Sequence, residues 1–372
     1  MEFIDLKAQY AAYRDEIDEA MGEVVRNAEF IGGRYVGLLE EELAAYVGRK
    51  HCVSCGNGTD ALQLAYMALG IGPGDAVFCP DMTFIASVEP AAMLGAEPVF
   101  CDIDPVSYNL SPDDLERQVE RVEAEGRLRP RAVVAVDFLG NPADYGRLLE
   151  VCERRGLLLV EDAAQGIGGE RGGVRLGGFG DIATTSFFPS KPLGCYGDGG
   201  AVFTDDDGTA ELLRSLRVHG KGASKYDNVR IGVNSRLDNL QAAVLHVKLA
   251  HLEEEMRARQ EVARRYDEAL DGIVACPVVE DGCRSAYAQY VVLAEDSDDR
   301  AALAEGLAAR GVPSLVYYPR PLHAMGAFGL PQSDAFPTSD GYAARNLGLP
   351  FSPFLTREDQ DAVIEAVLSV LA

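Results

Sequence analysis

Residues 186–200 read Ser-Phe-Phe-Pro-Ser-Lys-Pro-Leu-Gly-Cys-Tyr-Gly-Asp-Gly-Gly, and they place one lysine, Lys191, between an apolar run and a glycine-rich run. Residues 184–188 are typical of the end of a buried strand, and the glycines after the lysine indicate a loop. Burial lowers the pKa of a lysine amine, and a neutral amine can form a Schiff base. A loop lysine that lies near a strand by chance would give the same pattern. The local sequence leaves both interpretations open.

The composition of the 372-residue chain limits the classes of partner that it can bind, because the formal net charge is -25. That charge argues against nucleic acid, whose phosphates would be repelled. No apolar run reaches the length of a membrane helix, and the first residues lack the pattern of a signal peptide, so we expect a cytoplasmic protein without membrane contact. The 8 cysteines resemble reduced core thiols. Cys52 and Cys55 lack the second pair of a zinc site, so no metal is expected.

Strand-like and helical patterns alternate through most of the chain. Two helices are expected first, at 11–26 and 36–47, and a long one at 237–266. Between them, strands are expected at 51–55, 76–79, 98–102, 132–136, 157–161, 182–188 and 200–204, with helices such as 83–94 separating them. This alternation predicts an α/β fold with a mostly parallel sheet, whose ligands bind beyond the carboxyl ends of the strands. We expect a large domain, 1–245, and a small C-terminal α+β domain, 246–372.

A glycine turn, Gly56-Asn57-Gly58-Thr59-Asp60, opens one of the predicted helices. The free amides and the dipole at a helix start suit a phosphate group. Capping of the helix by Thr59 or Asp60 would explain the same residues. The turn is therefore a candidate phosphate site that needs support from elsewhere in the chain.

Two further residues supply that support. Asp162 follows a predicted buried strand, where an acid can point into the ligand crevice and keep a pyridine nitrogen protonated, or can cap a helix. Phe84 is placed to stack on an aromatic ring or to fill the core. With the glycine turn and Lys191, these residues indicate pyridoxal 5′-phosphate (PLP) as the cofactor. A dinucleotide site is not predicted, because no G-x-G-x-x-G follows the first strand.

Three motifs in this order and spacing resemble those of a known family. They are Gly-Asn-Gly-Thr-Asp-Ala-Leu at 56–62, Glu-Asp-Ala-Ala-Gln at 161–165 and Ser-Phe-Phe-Pro-Ser-Lys-Pro-Leu-Gly at 186–194. Over almost its whole length the chain resembles the DegT/DnrJ/EryC1/StrS nucleotide-sugar aminotransferases. The resemblance implies the PLP-dependent transferase fold of type I, as in aspartate aminotransferase, and a homodimer with shared active sites.

The resemblance also implies a role for each motif residue. Lys191 forms the Schiff base with PLP, and Asp162 pairs with the pyridine nitrogen. The other cofactor contacts that it implies are Gly58, Thr59, Asp60 and Ser186 near the phosphate, Phe84 on the ring, Gln165 at the 3′-oxygen, and Asn234, which reaches the phosphate of the second subunit's site.

Within the family, the chain most resembles enzymes that aminate carbon 3 of a UDP-linked 2-acetamido-3-keto-glucuronic acid for surface polysaccharides such as lipopolysaccharide O-antigen. In those enzymes the arginine that matches Arg236 binds the uronate carboxylate, a role that suits a planar guanidinium. The residues that match Ala28, Phe30 and Ser190 make other substrate contacts. The resemblance thus implies an anionic sugar nucleotide as substrate.

One departure from those enzymes concerns the same substrate pocket. They have His-Tyr-Pro where this chain has Tyr317-Tyr318-Pro319. A phenol can replace an imidazole as a hydrogen-bond donor, but it cannot carry the positive charge. His323 lies close by in the sequence and could compensate.

The activity implied by the resemblance is a two-step transamination. An amino acid, with L-glutamate expected, gives its amino group to the cofactor, which passes it to the keto-sugar, while Lys191 moves the proton. One alternative is a 4-aminotransferase of a 4-keto-6-deoxy nucleotide-sugar. Another is a deoxygenating dehydratase, which has histidine in place of Lys191. An alternative of another class is a PLP-binding regulator without turnover, although the acidic chain shows no DNA-binding segment.

Overall fold

A central sheet of seven strands organises the computed structural model, which describes residues 1–224, 226–329 and 335–371. The strands of these residues are β1 His51–Cys55, β2 Asp75–Pro80, β3 Glu97–Cys101, β4 Arg129–Val136, β5 Leu158–Asp162, β6 Glu170–Arg171, β7 Val174–Arg175, β8 Ile182–Ser186, β9 Gly200–Thr204, β10 Cys283–Arg284, β11 Tyr290–Leu293 and β12 Asn346–Leu349. The helices are α1 Leu6–Asn27, α2 Arg34–Val47, α3 Gly58–Ala68, α4 Glu89–Met93, α5 Pro112–Glu125, α6 Tyr145–Arg155, α7 Asp207–Leu216, α8 Asn239–Leu270, α9 Ser297–Ala309, α10 Pro337–Arg345 and α11 Arg357–Leu371.

The central sheet has the order β1-β9-β8-β5-β4-β2-β3 and is mostly parallel. Only β9 runs against the others, since it pairs antiparallel with both β8 and β1. The carboxyl ends of β1, β8 and β5 therefore meet at one edge of the sheet. The α/β fold of type I that the sequence predicts is confirmed, and this edge is where a ligand should bind.

The sequence patterns locate most elements within a few residues. The prediction of one helix over 83–94 is wrong, because this segment forms a short 3₁₀ turn, Ile85–Ser87, followed by α4. Pro90 stands in the first turn of α4, where its missing amide is tolerated. The two elements are separated at Val88, whose φ of -131° and ψ of -18° lie outside the helical range.

Helix α8 contributes to two separate hydrophobic clusters, one with the N-terminal helices and one with the C-terminal elements. Its first half, with Leu245 and Leu252, packs with α1 and α2 in one buried cluster. Its second half, with Val262 and Tyr266, packs with β11, β12, α9 and α11 in another. The predicted boundary between residues 245 and 246 falls inside this helix, and the division into two domains stays a prediction. Among the described residues, no helix combines the length and apolarity needed to cross a bilayer.

Two acids are buried together where β4 and β5 approach the ligand edge. Asp137 follows β4 and accepts hydrogen bonds from the Tyr145 hydroxyl (2.9 Å) and the Ala143 amide (3.2 Å) through Oδ1. Glu161 on β5 accepts from the amides of Gly177 and Phe179, both at 2.7 Å. Asp137 Oδ2 has no donor within the described chain.

A shared proton explains the unpaired oxygen. Burial raises the pKa of both carboxyl groups, and the charge of Glu161 raises the pKa of Asp137 further. A protonated Asp137 can donate to Glu161, which removes the repulsion between them. The folded protein then holds a proton that both acids lose in the unfolded chain above pH about 4. Stability from this pair is thus fully present below pH about 4 and decreases as the pH rises through the pKa of the folded pair.

Asp137→Asn tests this pair, because an asparagine amide donates to Glu161 without a proton from solvent. The free energy of unfolding of the variant minus that of the wild type should increase with pH, by about 1.4 kcal/mol for each pH unit over which the folded pair stays protonated. Urea unfolding at pH 5, 6, 7 and 8 measures it. Glu161→Gln is the control, since its single amide oxygen cannot accept from both backbone amides and it should destabilise at every pH. A difference that does not change with pH would contradict the shared proton.

Candidate active site

A cavity of about 590 Å³ opens at the carboxyl edge of the central sheet. Residues that follow β1, β2, β5 and β8 line one side of it, and Gln289, Tyr317 and Tyr318 from the C-terminal part line the other. The structure brings eleven of the sequence-predicted site residues into this lining: Gly58, Thr59, Asp60, Phe84, Asp162, Gln165, Ser186, Ser190, Lys191, Tyr317 and Tyr318. Segments far apart in sequence thus converge on one pocket.

The glycine turn after β1 forms the start of α3. The helix cap is Asn57, whose side-chain oxygen accepts from the Asp60 amide (2.8 Å), rather than the expected Thr59 or Asp60. A Cβ atom on Gly58 would lie 2.6 Å from the Ser186 Cβ, so only glycine lets β8 approach the helix start this closely. The first amides of α3 have no acceptor within the helix, which makes this end of the cavity suitable for a phosphate.

The acid at the end of β5 is held in place by two donors. Asp162 is 4% exposed, and its carboxylate accepts from the Ser87 hydroxyl (2.7 Å) and the Ala164 amide (3.1 Å). Burial raises the pKa of Asp162, while these donors and the charge of Lys191 oppose the shift. A positive partner in the cavity would stabilise the carboxylate. The sequence predicts a helix over 83–94, so it gives no sign that Ser87 contacts Asp162.

Phe84 lines the cavity with 56% of its surface exposed. Its ring lies 5.9 Å from that of Tyr318. An exposed aromatic face at a cavity wall suits stacking on a flat ligand, and the alternative that Phe84 fills the core is wrong.

Lys191 lies in the loop after β8 and faces the same cavity. It lines the cavity, and burial lowers the pKa of its amine to about 8, against the opposing charge of Asp162. An amine with this pKa is neutral in about a tenth of molecules at pH 7, far more than for a free lysine. The interpretation of Lys191 as a chance loop lysine is therefore not supported by its surroundings.

Helix α8 fixes the loop that carries Lys191. Lys248 donates from its amine to the Gly194 carbonyl (2.7 Å) and lies over the ring of Tyr196, 4.4 Å from its centroid. Gln241 accepts from the Tyr196 amide (2.8 Å). Lys248 is only 2% exposed, and burial lowers its pKa to about 8. Sequence reasoning missed it, although a lysine three residues after Leu245 in an apolar helical stripe was a signal.

Gln165, which follows β5, contacts Tyr318 of the C-terminal side. Gln165 accepts from the Leu139 amide through Oε1 (2.7 Å) and donates to the Tyr318 hydroxyl (3.4 Å). Burial raises the pKa of Tyr318, so it stays a neutral donor. Gln289 also lines the cavity, and the sequence gave no reason to select it.

Five predicted residues lie outside this lining. Ala28 and Phe30 are exposed, as are Asn234 and Arg236. The two segments touch, because the Asn239 amide donates to the Phe30 carbonyl (2.8 Å). The roles of these four residues stay predictions.

His323, the fifth, is used elsewhere. It is 7% exposed, its Nδ1 lies 2.6 Å from Asp81 Oδ2, and its amide donates to Asp81 Oδ1 (2.8 Å). This pairing holds the ring against the segment after β2. The structure therefore does not bring His323 to the cavity, where it was expected to compensate for Tyr317.

The lining fits PLP by the chemistry of its groups. The start of α3 offers amides to a phosphate, and Asp162 offers a carboxylate to a pyridine nitrogen. Lys191 offers an amine of lowered pKa, and Phe84 offers an aromatic face. These are the groups that such a cofactor requires, and they share one cavity.

Comparison with known proteins agrees with this chemistry. The model of the DegT/DnrJ/EryC1/StrS aminotransferase family matches residues 12–368. The chain is similar to the UDP-2-acetamido-2-deoxy-3-oxo-D-glucuronate aminotransferase of Pseudomonas aeruginosa, with 44% identity over 95% of this chain and 96% of that protein. It is also similar to the crystal structure of a DegT DnrJ EryC1 StrS aminotransferase from Brucella abortus, with a TM-score of 0.97, 48% identity and full coverage of both chains. NtdA from Bacillus subtilis with bound cofactor PMP matches with a TM-score of 0.89 and 26% identity, over 100% of this chain and 85% of that one.

Proposed function

The chain belongs to the DegT/DnrJ/EryC1/StrS aminotransferase family, and we propose that it transfers the amino group of L-glutamate to carbon 3 of UDP-2-acetamido-2-deoxy-3-oxo-glucuronate. It is a PLP-dependent aminotransferase. The observation that carries the proposal is the pair formed by Lys191 and Asp162 at one cavity, with the P. aeruginosa relative supporting the choice of sugar. The product would serve surface polysaccharide synthesis, and the cytoplasm stays the predicted location.

The residues of the cavity divide the chemistry between them. PLP, when bound, supplies the electron sink that stabilises negative charge on the reacting carbon. The Lys191 amine would take the proton from the α-carbon of the amino acid and, in the second half of the reaction, would deliver a proton to carbon 3 of the sugar, a role that its lowered pKa favours. Asp162 keeps the pyridine nitrogen protonated through a charge-assisted hydrogen bond. Phe84 would stack on the ring of the bound cofactor, and Gln165 would bind the 3′-oxygen of that ring.

A second copy of this chain would complete the site. The proposed ligands carry phosphate and carboxylate groups, yet Lys191 is the one cation in the described lining, beside the acids Asp60, Asp162 and Asp198. Asn234 and Arg236 are exposed in the single chain and available to another subunit.

The surface near Asn234 and Arg236 also exposes apolar side chains to solvent. They occur in the two segments that contain the predicted site residues outside the cavity lining. Phe30 is 46% exposed, Ile31 52%, Val229 55% and Ile231 88%. A contiguous patch of exposed apolar groups usually marks an interface, and these side chains would contribute to one. We therefore infer a homodimer in which Asn234 reaches the cofactor phosphate, and Arg236 the uronate, of the other subunit's site.

Arg236 tests the substrate. Arg236→Ala should lower kcat/KM for the 3-oxo-uronate by the equivalent of about 2–5 kcal/mol, because a desolvated carboxylate loses its partner. A matching 4-keto-6-deoxy nucleotide-sugar, which has no carboxylate, is the control and should change little. Steady-state assays of both proteins with both sugars measure this.

Other outcomes of this assay would point to the alternatives. Equal losses on both sugars, or a wild-type preference for the neutral sugar, would indicate a 4-aminotransferase. A cofactor-loaded wild type that aminates neither sugar, nor any other keto-sugar nucleotide, would indicate a regulator.

Mixed dimers test the shared site. Lys191→Ala and Asn234→Ala should each be inactive alone, but a dimer with one subunit of each kind has one site with neither change. After subunit exchange, the mixture should recover roughly a quarter of wild-type activity by statistical pairing. Native mass spectrometry confirms the exchange. Mixed dimers without activity would show that each site is built from one chain.

A further inference from the structure

Two hydroxyl groups and the Asp162 carboxylate form a hydrogen-bonded chain at the wall of the cavity. The Ser87 hydroxyl donates to Asp162 Oδ2 (2.7 Å), and the hydroxyl oxygens of Thr83 and Ser87 lie 2.9 Å apart. All three residues are buried, and all three belong to the lining of the cavity. Because burial limits their access to water, these groups depend on one another for hydrogen bonds.

The hydrogen bonds of this chain run in one direction. A serine hydroxyl has one hydrogen, and Ser87 uses it for Asp162. The bond between the two hydroxyls therefore takes its hydrogen from Thr83, and Ser87 accepts it. Since hydrogen bonds in series polarise one another, the bond from Thr83 makes the Ser87 hydroxyl a stronger donor to the carboxylate.

The turn that supplies both hydroxyls also supplies Phe84. Thr83 precedes Phe84, and the Ser87 amide donates to the Phe84 carbonyl (3.1 Å) in the 3₁₀ turn. The hydroxyl of Tyr66 on α3 donates to the Ser87 carbonyl (2.5 Å). The backbone of the turn is thus positioned by contacts that do not involve the two hydroxyls.

The hydroxyl chain acts on the acidity of Asp162. Burial raises the pKa of this carboxyl group. The Ser87 hydroxyl lowers the pKa, as do the Ala164 amide and the charge of Lys191. When the acid pairs with a pyridine nitrogen, the proton between them can lie on the nitrogen or on the carboxyl oxygen. A lower pKa of the acid favours the nitrogen.

We propose that Thr83 and Ser87 are positioning residues that keep this proton on the pyridine nitrogen of the cofactor. The proposal rests on the proposed function in one respect, that PLP occupies the cavity beside Asp162. Ser87 acts directly on the carboxylate, and Thr83 acts through Ser87. In this role neither hydroxyl exchanges its proton with the substrate.

The ¹⁵N chemical shift of PLP labelled at its pyridine nitrogen tests the proposal in the holoenzyme. This shift differs between a protonated and an unprotonated nitrogen, so it reports where the proton lies. Ser87→Ala should change the equilibrium between the two positions about tenfold toward the acid, because it removes one hydrogen bond to a charged group. Thr83→Val leaves the bond from Ser87 to Asp162 in place, so it should move the shift in the same direction by less.

Three control variants separate this role from a structural one. Ser87→Thr and Thr83→Ser keep the hydroxyls and should keep the wild-type shift. Tyr66→Phe removes the bond to the Ser87 carbonyl and leaves both hydroxyls, so it should lower the Tm and leave the shift unchanged.

Three results would overturn the proposal. They are an unchanged shift in Ser87→Ala, equal changes in Ser87→Ala and Tyr66→Phe, and a wild-type nitrogen that carries no proton. The last would also refute the role of Asp162. Because the measurement uses no sugar, its outcome is independent of the proposed substrate.

Discussion

The burial of the Lys191 amine opposite the Asp162 carboxylate is the constraint on which the rest of the site depends. Burial lowers the pKa of the amine to about 8 and raises the pKa of the acid, and each charge offsets part of the other's shift. The pair therefore places an amine of lowered pKa beside a carboxyl group in one cavity. A lysine at the surface would have a pKa near about 10.4 and would rarely be neutral.

Hydrogen bonds from neighbouring segments position the Asp162 carboxylate and the loop that carries Lys191. Asp162 ends β5 and is fixed by Ser87, while the loop of Lys191 is fixed to α8 through Lys248. Parallel β5 and β8 are neighbours in the sheet, so the two residues leave it at the same edge. The opposite wall of the cavity is formed by C-terminal residues, among them Tyr317 and Tyr318.

The sequence predicts the central fold well because its signals are local. Apolar runs give the strands, and the alternation gives the parallel sheet. The three motifs lie at strand ends, so their meeting at one edge follows from the fold itself. By contrast, the hydrogen bonds from Ser87 to Asp162 and from Lys248 to Gly194 join segments far apart in sequence, and no local pattern predicts which segments meet. Asn234 and Arg236 would act in another subunit, which the pattern of a single chain cannot place.

The pKa of the Lys191 amine tests the central constraint most directly. In the cofactor-free protein, mass spectrometry can follow the rate at which an amine-reactive reagent labels Lys191. Plotted against pH, this rate gives a titration curve whose midpoint is the pKa of the amine. The midpoint should lie near pH 8, and Asp162→Asn should lower it further because the carboxylate raises the pKa of the amine. A midpoint near the ordinary lysine value of about 10.4, unchanged by Asp162→Asn, would contradict the burial of the amine beside the acid.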